Sequence, residues 1–444
     1  MQQNNNQLGA LYAEHLGALQ AQIAADLGHC GLRGLLLHAG SLQVAFQDDN
    51  YYPFRVNAPF KHWLPVLDAP DSFIYFEPGK RPQLLFHQPD DYWYKQAAIP
   101  DSYWVAHFDI TVIRDPAEAR AQLPADLSSV AFVGEPFDAL VQWGDPAVNP
   151  PDLTLRMHYP RAMKSRYEIA CLREANRMGA VAHRAAKQAF LAGGSEFDIH
   201  MAYLAACAQR EQDLPYNSII AENRNAAVLH YQILERDRPK HLHSLLIDAG
   251  AQVNGYACDI TRTYSFSDRE FAQLIEQFDL LQQSLCASVR SGSDWRDIHQ
   301  SAHMLIAEWL QGADLISVEA DEAVARGLSK VFYPHGIGHL LGLQVHDVGG
   351  TLRDRSGAEI PRPEGEGALR LTRVLEPGFV VTMEPGVYFI DSLLERARNS
   401  ALAAAINWSR VEQLHPFGGI RIEDNLAVQQ DGNENLTRDA FAKT

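Results

Sequence analysis

The chain has 444 residues, 46% of them hydrophobic and 21% charged, with a formal charge of −17 at neutral pH. That length exceeds what one core usually serves, so two domains are expected, and the composition is that of an ordinary globular protein. The acidic balance argues against a nucleic-acid partner and against attraction to a membrane surface, and no apolar stretch approaches the roughly 20 residues of a membrane span.

The first residues, MQQNNNQLGALYAEHL, lack the charged and apolar regions of an export signal. Cys30, Cys171, Cys207, Cys258 and Cys286 have no CxxC or Cys/His ligand spacing, so free thiols and a cytoplasmic location are expected. Apolar positions at helical spacing run from Gln7 to Leu27, and Gly31 to Gly34 can end that helix before a strand at Leu35 to Leu37. Further strands are read at Phe73–Phe76, Gln83–Phe86 and Val130–Val133, which together describe a small α/β domain. The aromatic runs Tyr51 to Trp63 and Tyr92-Trp93-Tyr94 suit a core or an interface equally well.

Prolines 146, 150, 151 and 160 crowd the stretch Gly144 to Pro160, where helices and central strands are poorly tolerated. The boundary is placed there, with domains at 1–155 and 156–444. Ser165 to Ala192 is amphipathic and reads as a helix, on which His183 is simply a packed or exposed residue. A helix from Asp198 to Glu211 and a strand ending near Tyr231 are expected next. Helices at Asp268–Val289, Asp297–Gln311 and Asp321–Lys330 follow the hairpin described below. Helices, strands, helices, strands is an α+β order with antiparallel pairing.

Leu245 to Thr261, LLIDAGAQVNGYACDIT, reads as a β-hairpin about Asn254-Gly255. A register in which partner numbers sum to about 508 or 510 would make Asp248 and Asp259 near neighbours on one face. Two desolvated carboxylates so close call for a shared cation, although Asp-Ala-Gly and Asn-Gly are also common turn sequences. Cys258, next to Asp259, faces the opposite way and is a packing residue.

Tyr333 to Gly349, YPHGIGHLLGLQVHDVG, places His335, His339 and His346 among four glycines. Tight turns can bring such imidazoles to one point, as metal ligands or as acid–base groups. The apolar run Val380 to Phe389 is interrupted by Glu384-Pro385-Gly386, a strand end opening on a site. In Gly419 to Asp424, Ile420 and Ile422 share one face and Arg421 and Glu423 the other; a half-exposed strand with an ordinary ion pair is the plainer reading. Asp248, Asp259, His339, Glu384 and Glu423 together offer four carboxylates and one imidazole. That set suits two Mn²⁺, Co²⁺ or Zn²⁺ ions about 3.5 Å apart, as in metal-assisted hydrolysis.

These motifs, with LHY at 229–231 and RVLEPGFVVTMEPGVYFIDSLL, occur in order across residues 216–425. The pattern resembles the pita-bread metallopeptidases, most closely the bacterial Xaa-Pro dipeptidases (prolidases). The resemblance implies a pita-bread catalytic domain behind a smaller α/β domain, a homodimer, and two ions, with Mn²⁺ the expected metal. It makes Asp248 a ligand of one ion, Asp259 and Glu423 bridges, and His339 and Glu384 ligands of the other. It also makes Glu384 the proton carrier, His335 and His346 pocket histidines with His346 at the scissile amide, and Arg421 the residue orienting the carboxylates. His230 and Arg370 would hold the terminal carboxylate, with Arg373 a less specific competitor for Arg370. Tyr216 and Ile219 would line the pocket, and Trp93 would help close it. The activity implied is hydrolysis of Xaa-Pro dipeptides by metal-activated water, with possible side activity on organophosphorus bonds. An Xaa-Pro aminopeptidase acting on longer peptides and a catalytically silent peptide-binding relative are the alternatives.

Overall fold

A computed structural model describes residues 2–95 and 99–444. The chain divides into two compact units, the first made of residues 1–161, 165–171 and 354–358 and the second of the remainder.

In the first unit the helix α1 (Gln2–His29) ends just before Gly31, whose positive φ turns the chain into strand β1 (Gly34–His38). With β2 (Phe73–Phe76), β3 (Gln83–His87), β4 (Asp109–Ile113), β5 (Val130–Val133) and β6 (Ala147–Val148) it forms a mixed sheet of order β4-β3-β2-β1-β5-β6. The middle strands are buried throughout, as their largely apolar sequences require, with His38 the polar exception in β1. The proline-rich stretch nevertheless contains a helix, α2 (Pro151–His158). Its prolines lie before it, at its first position and beyond its end, where no intrahelical N–H is needed. Of the aromatic runs, Phe60 and Trp63 are core, whereas Tyr92, Trp93 and Tyr94 are exposed.

The second unit repeats one arrangement twice. Helices α3 (Arg166–Leu191, which starts in the first unit) and α4 (Glu196–Cys207) pack Ala175, Ala182, Phe190, Ile199 and Tyr203 against a three-stranded antiparallel sheet. The strands of that sheet are β7 (Ile219–Glu222), β8 (Ser244–Asp248) and β11 (Thr261–Ser265). Helix α4 opens with Ser195 and Asp198 in a reciprocal cap, which starts it two residues before the expected Asp198. The strand expected to end near Tyr231 stops at Glu222, because Asn223 takes a left-handed conformation and begins a 3₁₀ turn.

Helices α5 (Arg269–Ser288) and α6 (Trp295–Gly312) pack Phe271, Phe278, Trp295 and Ile306 on a second antiparallel sheet. It is formed by β12 (Val380–Met383), β15 (Asp424–Val428) and β16 (Asn433–Asn435). The single helix expected at Asp321–Lys330 is two short ones, Ala320–Ala325 and Ser329–Phe332, separated at the positive-φ Gly327. A bridge between Thr261 and Glu423 links the two sheets. No helix among the described residues is long and apolar enough to cross a membrane.

The hairpin forms about Asn254 and Gly255, both at positive φ, between β9 (Gln252–Val253) and β10 (Tyr256–Ala257). Its register differs from either expected one. A two-residue turn pairs residue i with i+3, so Val253 faces Tyr256 and, farther along, Asp248 faces Thr261. Partner numbers therefore have an odd sum, and Asp259 approaches Asp248 as a neighbour offset along the ladder.

Candidate metal and peptide site

The five acidic and imidazole candidates meet in the second unit, on the wall of one cavity of about 440 Å³. Asp248 ends β8, and Asp259 follows β10. His339 stands on the glycine-rich loop, Glu384 lies between β12 and β13 (Gly386–Tyr388), and Glu423 occupies the break between β14 (Gly419–Arg421) and β15. Four of the five thus sit at a strand end or break, where a side chain leaves the core while its backbone stays anchored. Glu384 N–H donates to Ile337 O at 3.0 Å, and Glu423 N–H donates to Thr261 O at 3.0 Å.

Gly338 is what brings His339 this close to β12. A Cβ at that position would lie 2.1 Å from the Thr382 carbonyl oxygen, so no larger residue fits without moving the strand. Thr382 N–H then donates to His339 O at 3.0 Å, and its hydroxyl accepts from His339 N–H at 3.0 Å. His339 Nδ1 is 2.9 Å from the Leu340 carbonyl, to which it can only donate. That leaves Nε2 directed at Asp259 Oδ2, 3.5 Å away, and Glu384 Oε1, 3.6 Å away. One ligand atom each from Asp259, His339 and Glu423 lie within 4.8 Å of one another.

The carboxylates are held from behind. Arg421 donates from Nη2 to Asp248 Oδ2 at 2.8 Å, from Nη1 to the Tyr388 hydroxyl at 3.0 Å and from Nε to Thr261 Oγ1 at 3.2 Å. Thr261 in turn donates to Glu423 Oε2 at 2.7 Å. The Tyr216 hydroxyl lies 2.8 Å from Asp248 Oδ1 and 2.6 Å from Asp259 Oδ1, so it ties the two aspartates together. These contacts use one oxygen each of Asp259 and Glu423 and leave Asp259 Oδ2 and Glu423 Oε1 for another partner, whereas both oxygens of Asp248 are engaged.

The electrostatics show the same demand for cations. Burial, then the neighbouring carboxylates, raises Glu384 to about 7 and Glu423 far above the usual carboxyl range. Burial also raises Asp248, more than Arg421 and Tyr216 bring it back. For Asp259 the same burial is outweighed by the hydrogen bond and charge of His339, so its carboxyl falls below the ordinary value. Four carboxylates facing one imidazole form a site that divalent ions would neutralise.

His335 and His346 are both on the cavity wall. Burial, together with nearby positive groups, lowers His335 to about 3 and His346 to about 4, so both are neutral near pH 7. His335 Nδ1 lies 2.9 Å from Gly336 O and its Nε2 lies 2.8 Å from the Tyr388 hydroxyl, which commits both ring nitrogens. His346 packs edge-on against His339, with ring centroids 4.4 Å apart.

His230 and Arg370 line the same cavity from exposed positions, accompanied by Arg362. Arg373 does not line it: its buried guanidinium pairs with Glu376 at 3.2 Å and lies over Phe379. Ile219 is likewise off the wall, packed with Ala221, Tyr231, Leu246 and Tyr388. Trp93 belongs to the first unit, where it is exposed beside Tyr92. Gly419 to Asp424 is not a half-exposed strand with a local ion pair, because Arg421 and Glu423 are both buried and Arg421 pairs with Asp248, on a strand of another sheet. Thr261, Tyr388, Thr382 and Arg362 were not singled out in the sequence. Thr261 closes the Leu245–Thr261 stretch and Thr382 and Tyr388 lie within Val380–Phe389, both stretches already marked by a carboxylate; Arg362 lies in neither.

Residues 10–159 match the family of Xaa-Pro dipeptidase N-terminal domains, and residues 170–430 match metallopeptidase family M24. An Xaa-Pro dipeptidase of Stenotrophomonas maltophilia is 48% identical, with 98% of each chain covered. One from Shewanella woodyi is 44% identical, covering 98% of this chain and 99% of the relative. Among solved structures, zinc-substituted Escherichia coli aminopeptidase P in complex with product superposes with a TM-score of 0.72 at 22% identity, over 97% of this chain and 95% of that one. That likeness shows the fold, which is the pita-bread fold with a preceding amino-terminal domain.

Proposed function

Because the chain belongs to metallopeptidase family M24 and, within it, to the Xaa-Pro dipeptidases, we propose that it hydrolyses dipeptides ending in proline with the help of two divalent metal ions. The observation that carries this reading is the meeting of Asp248, Asp259, His339, Glu384 and Glu423 on a cavity whose wall also bears His230 and Arg370. The five would hold the ions, Asp259 and Glu423 between them, with Mn²⁺ the metal we assign. Bound there, the ions supply Lewis acidity, making water a nucleophile near neutral pH and polarising the carbonyl before proline.

The side chains do the rest. Arg370 and His230 hold the proline carboxylate, for which a guanidinium offers a planar pair of donors. A clamp on that free carboxylate favours a substrate that ends at the proline. Glu384, as the carboxylate, receives a proton from the attacking water and passes it to the departing proline nitrogen. His346 hydrogen-bonds the oxygen on which charge develops. His335 acts by fixing the Tyr388 hydroxyl, and through it Arg421 and Asp248. We also assign the protein to the cytoplasm as a homodimer. The described cysteines form no disulfide, which suits a reducing compartment, and the exposed Tyr92 and Trp93 offer a surface for pairing.

Comparing Gly-Pro with Gly-Pro-Ala on Mn²⁺-loaded protein tests the substrate. The dipeptide should have the higher kcat/KM. Preference for the tripeptide would make the protein an aminopeptidase, and failure to cleave either or bind metal would leave it a binding protein.

A further inference from the structure

Helix α6 carries His299 and His303 four residues apart, so both imidazoles project from one face. Both are buried, and Glu366 meets them: its Oε2 lies 2.9 Å from His299 Nε2 and 3.8 Å from His303 Nε2. The second contact is too long for a hydrogen bond, and His303 Nε2 has no hydrogen-bond partner. On its other side His303 Nδ1 lies 3.0 Å from Ser329 Oγ. With its proton given to that hydroxyl, the ring aims a lone pair at a carboxylate oxygen inside the protein. Two electron-rich atoms facing each other in this way are stabilised by a cation between them. A ring nitrogen bound to an outer partner while the other faces a carboxylate is also the posture of a metal-ligating imidazole.

The surroundings permit the ion. His299 Nδ1 is buried without a partner, so the ring can move its proton there and free Nε2, with no net proton released. Lys330 holds the other oxygen, Oε1, at 2.6 Å from the more exposed side and leaves Oε2 to the imidazoles. We propose that His299, His303 and Glu366 bind a divalent transition-metal ion, separately from the five-residue site. Two imidazoles and one carboxylate are a donor set typical of Zn²⁺. The Tyr333 ring connects the two places, its centroid 4.9 Å from that of His303 and 4.8 Å from that of His335.

The test is Zn²⁺ loading of metal-stripped full-length protein, with bound zinc counted and located by anomalous diffraction, for wild type, His303→Gln and Glu366→Gln. Wild type should bind one more ion per chain than either variant, with an anomalous peak between the three side chains. Both variants should cleave Gly-Pro at near wild-type rates when reloaded with Mn²⁺. Equal zinc counts in folded variants, or no peak on α6 in wild type, would overturn the proposal, and the wild-type map decides should both variants unfold. Failure of the five-residue site instead would remove the ions near Asp259 while leaving the one-ion difference intact.

Discussion

Arg421 touches three side chains, and each reaches the proposed metal site: Asp248 directly, Glu423 through Thr261, and His335 through Tyr388. Lysine keeps the charge but has a single nitrogen, so it cannot make all three contacts. Arg421→Lys should lower metal affinity about 10–100-fold with little change in fold. Titration of the stripped variant with Mn²⁺ measures this, and wild-type affinity would remove Arg421 from its orienting role. Arg370 is assigned instead to the substrate. Arg370→Ala should reduce Gly-Pro hydrolysis far more than cleavage of the corresponding methyl ester, whose carboxylate is masked; equal losses on both would unseat it. The acidic ligands could be read in the sequence because a carboxylate inside an apolar run, such as Glu384 in VVTMEPGVYF, is conspicuous. Tyr388 and Thr382 could not, because a hydroxyl in a strand looks the same whether or not it holds a ligand.

Helix α3 reaches the site through His183. Its Nε2 lies 3.0 Å from the carbonyl of Ala249, the residue after Asp248, and must donate to it, while the buried Nδ1 has no partner. Burial lowers this ring to about 3, so the folded protein holds it neutral. The unfolded chain takes up a proton near the ordinary value of 6.5, so the stability His183 contributes is complete above that pH and is lost as pH falls toward 3. Chemical denaturation of metal-stripped protein between pH 7 and 4 should therefore give a steeper loss for wild type than for His183→Leu, by a few kcal/mol over that range. Parallel curves would show that His183 carries no such linkage. Long elements such as α3, α5 and α6 were legible from their apolar spacing. The hairpin was legible from Asn254-Gly255, but its register was not, since only the two-residue turn makes the sum odd. The breaks at Asn223 and Glu423 were also hidden, because they depend on contacts made by distant segments.

Across the whole molecule, the second unit has two helix-on-sheet halves, and the site lies where the sheets meet at Thr261 and Glu423. Asp248 and Asp259 come from one half and Glu384 and Glu423 from the other, so folding of both is needed before any ion can be shared. Motif order gave the architecture early, whereas the exposed Trp93 and the cluster on α6 became interpretable only from burial and distance. The most direct measurement is Mn²⁺ titration of stripped wild type and Asp259→Asn, with bound metal and Gly-Pro hydrolysis followed together. Mn²⁺ is the weaker metal for the imidazole pair on α6, so the five-residue site should dominate the count. Wild type should take up two ions per chain with activity rising alongside them, and Asp259→Asn should lose the paired binding and at least about a thousandfold in rate, roughly 4 kcal/mol. Full hydrolysis by stripped wild type, or by Asp259→Asn, would contradict the account.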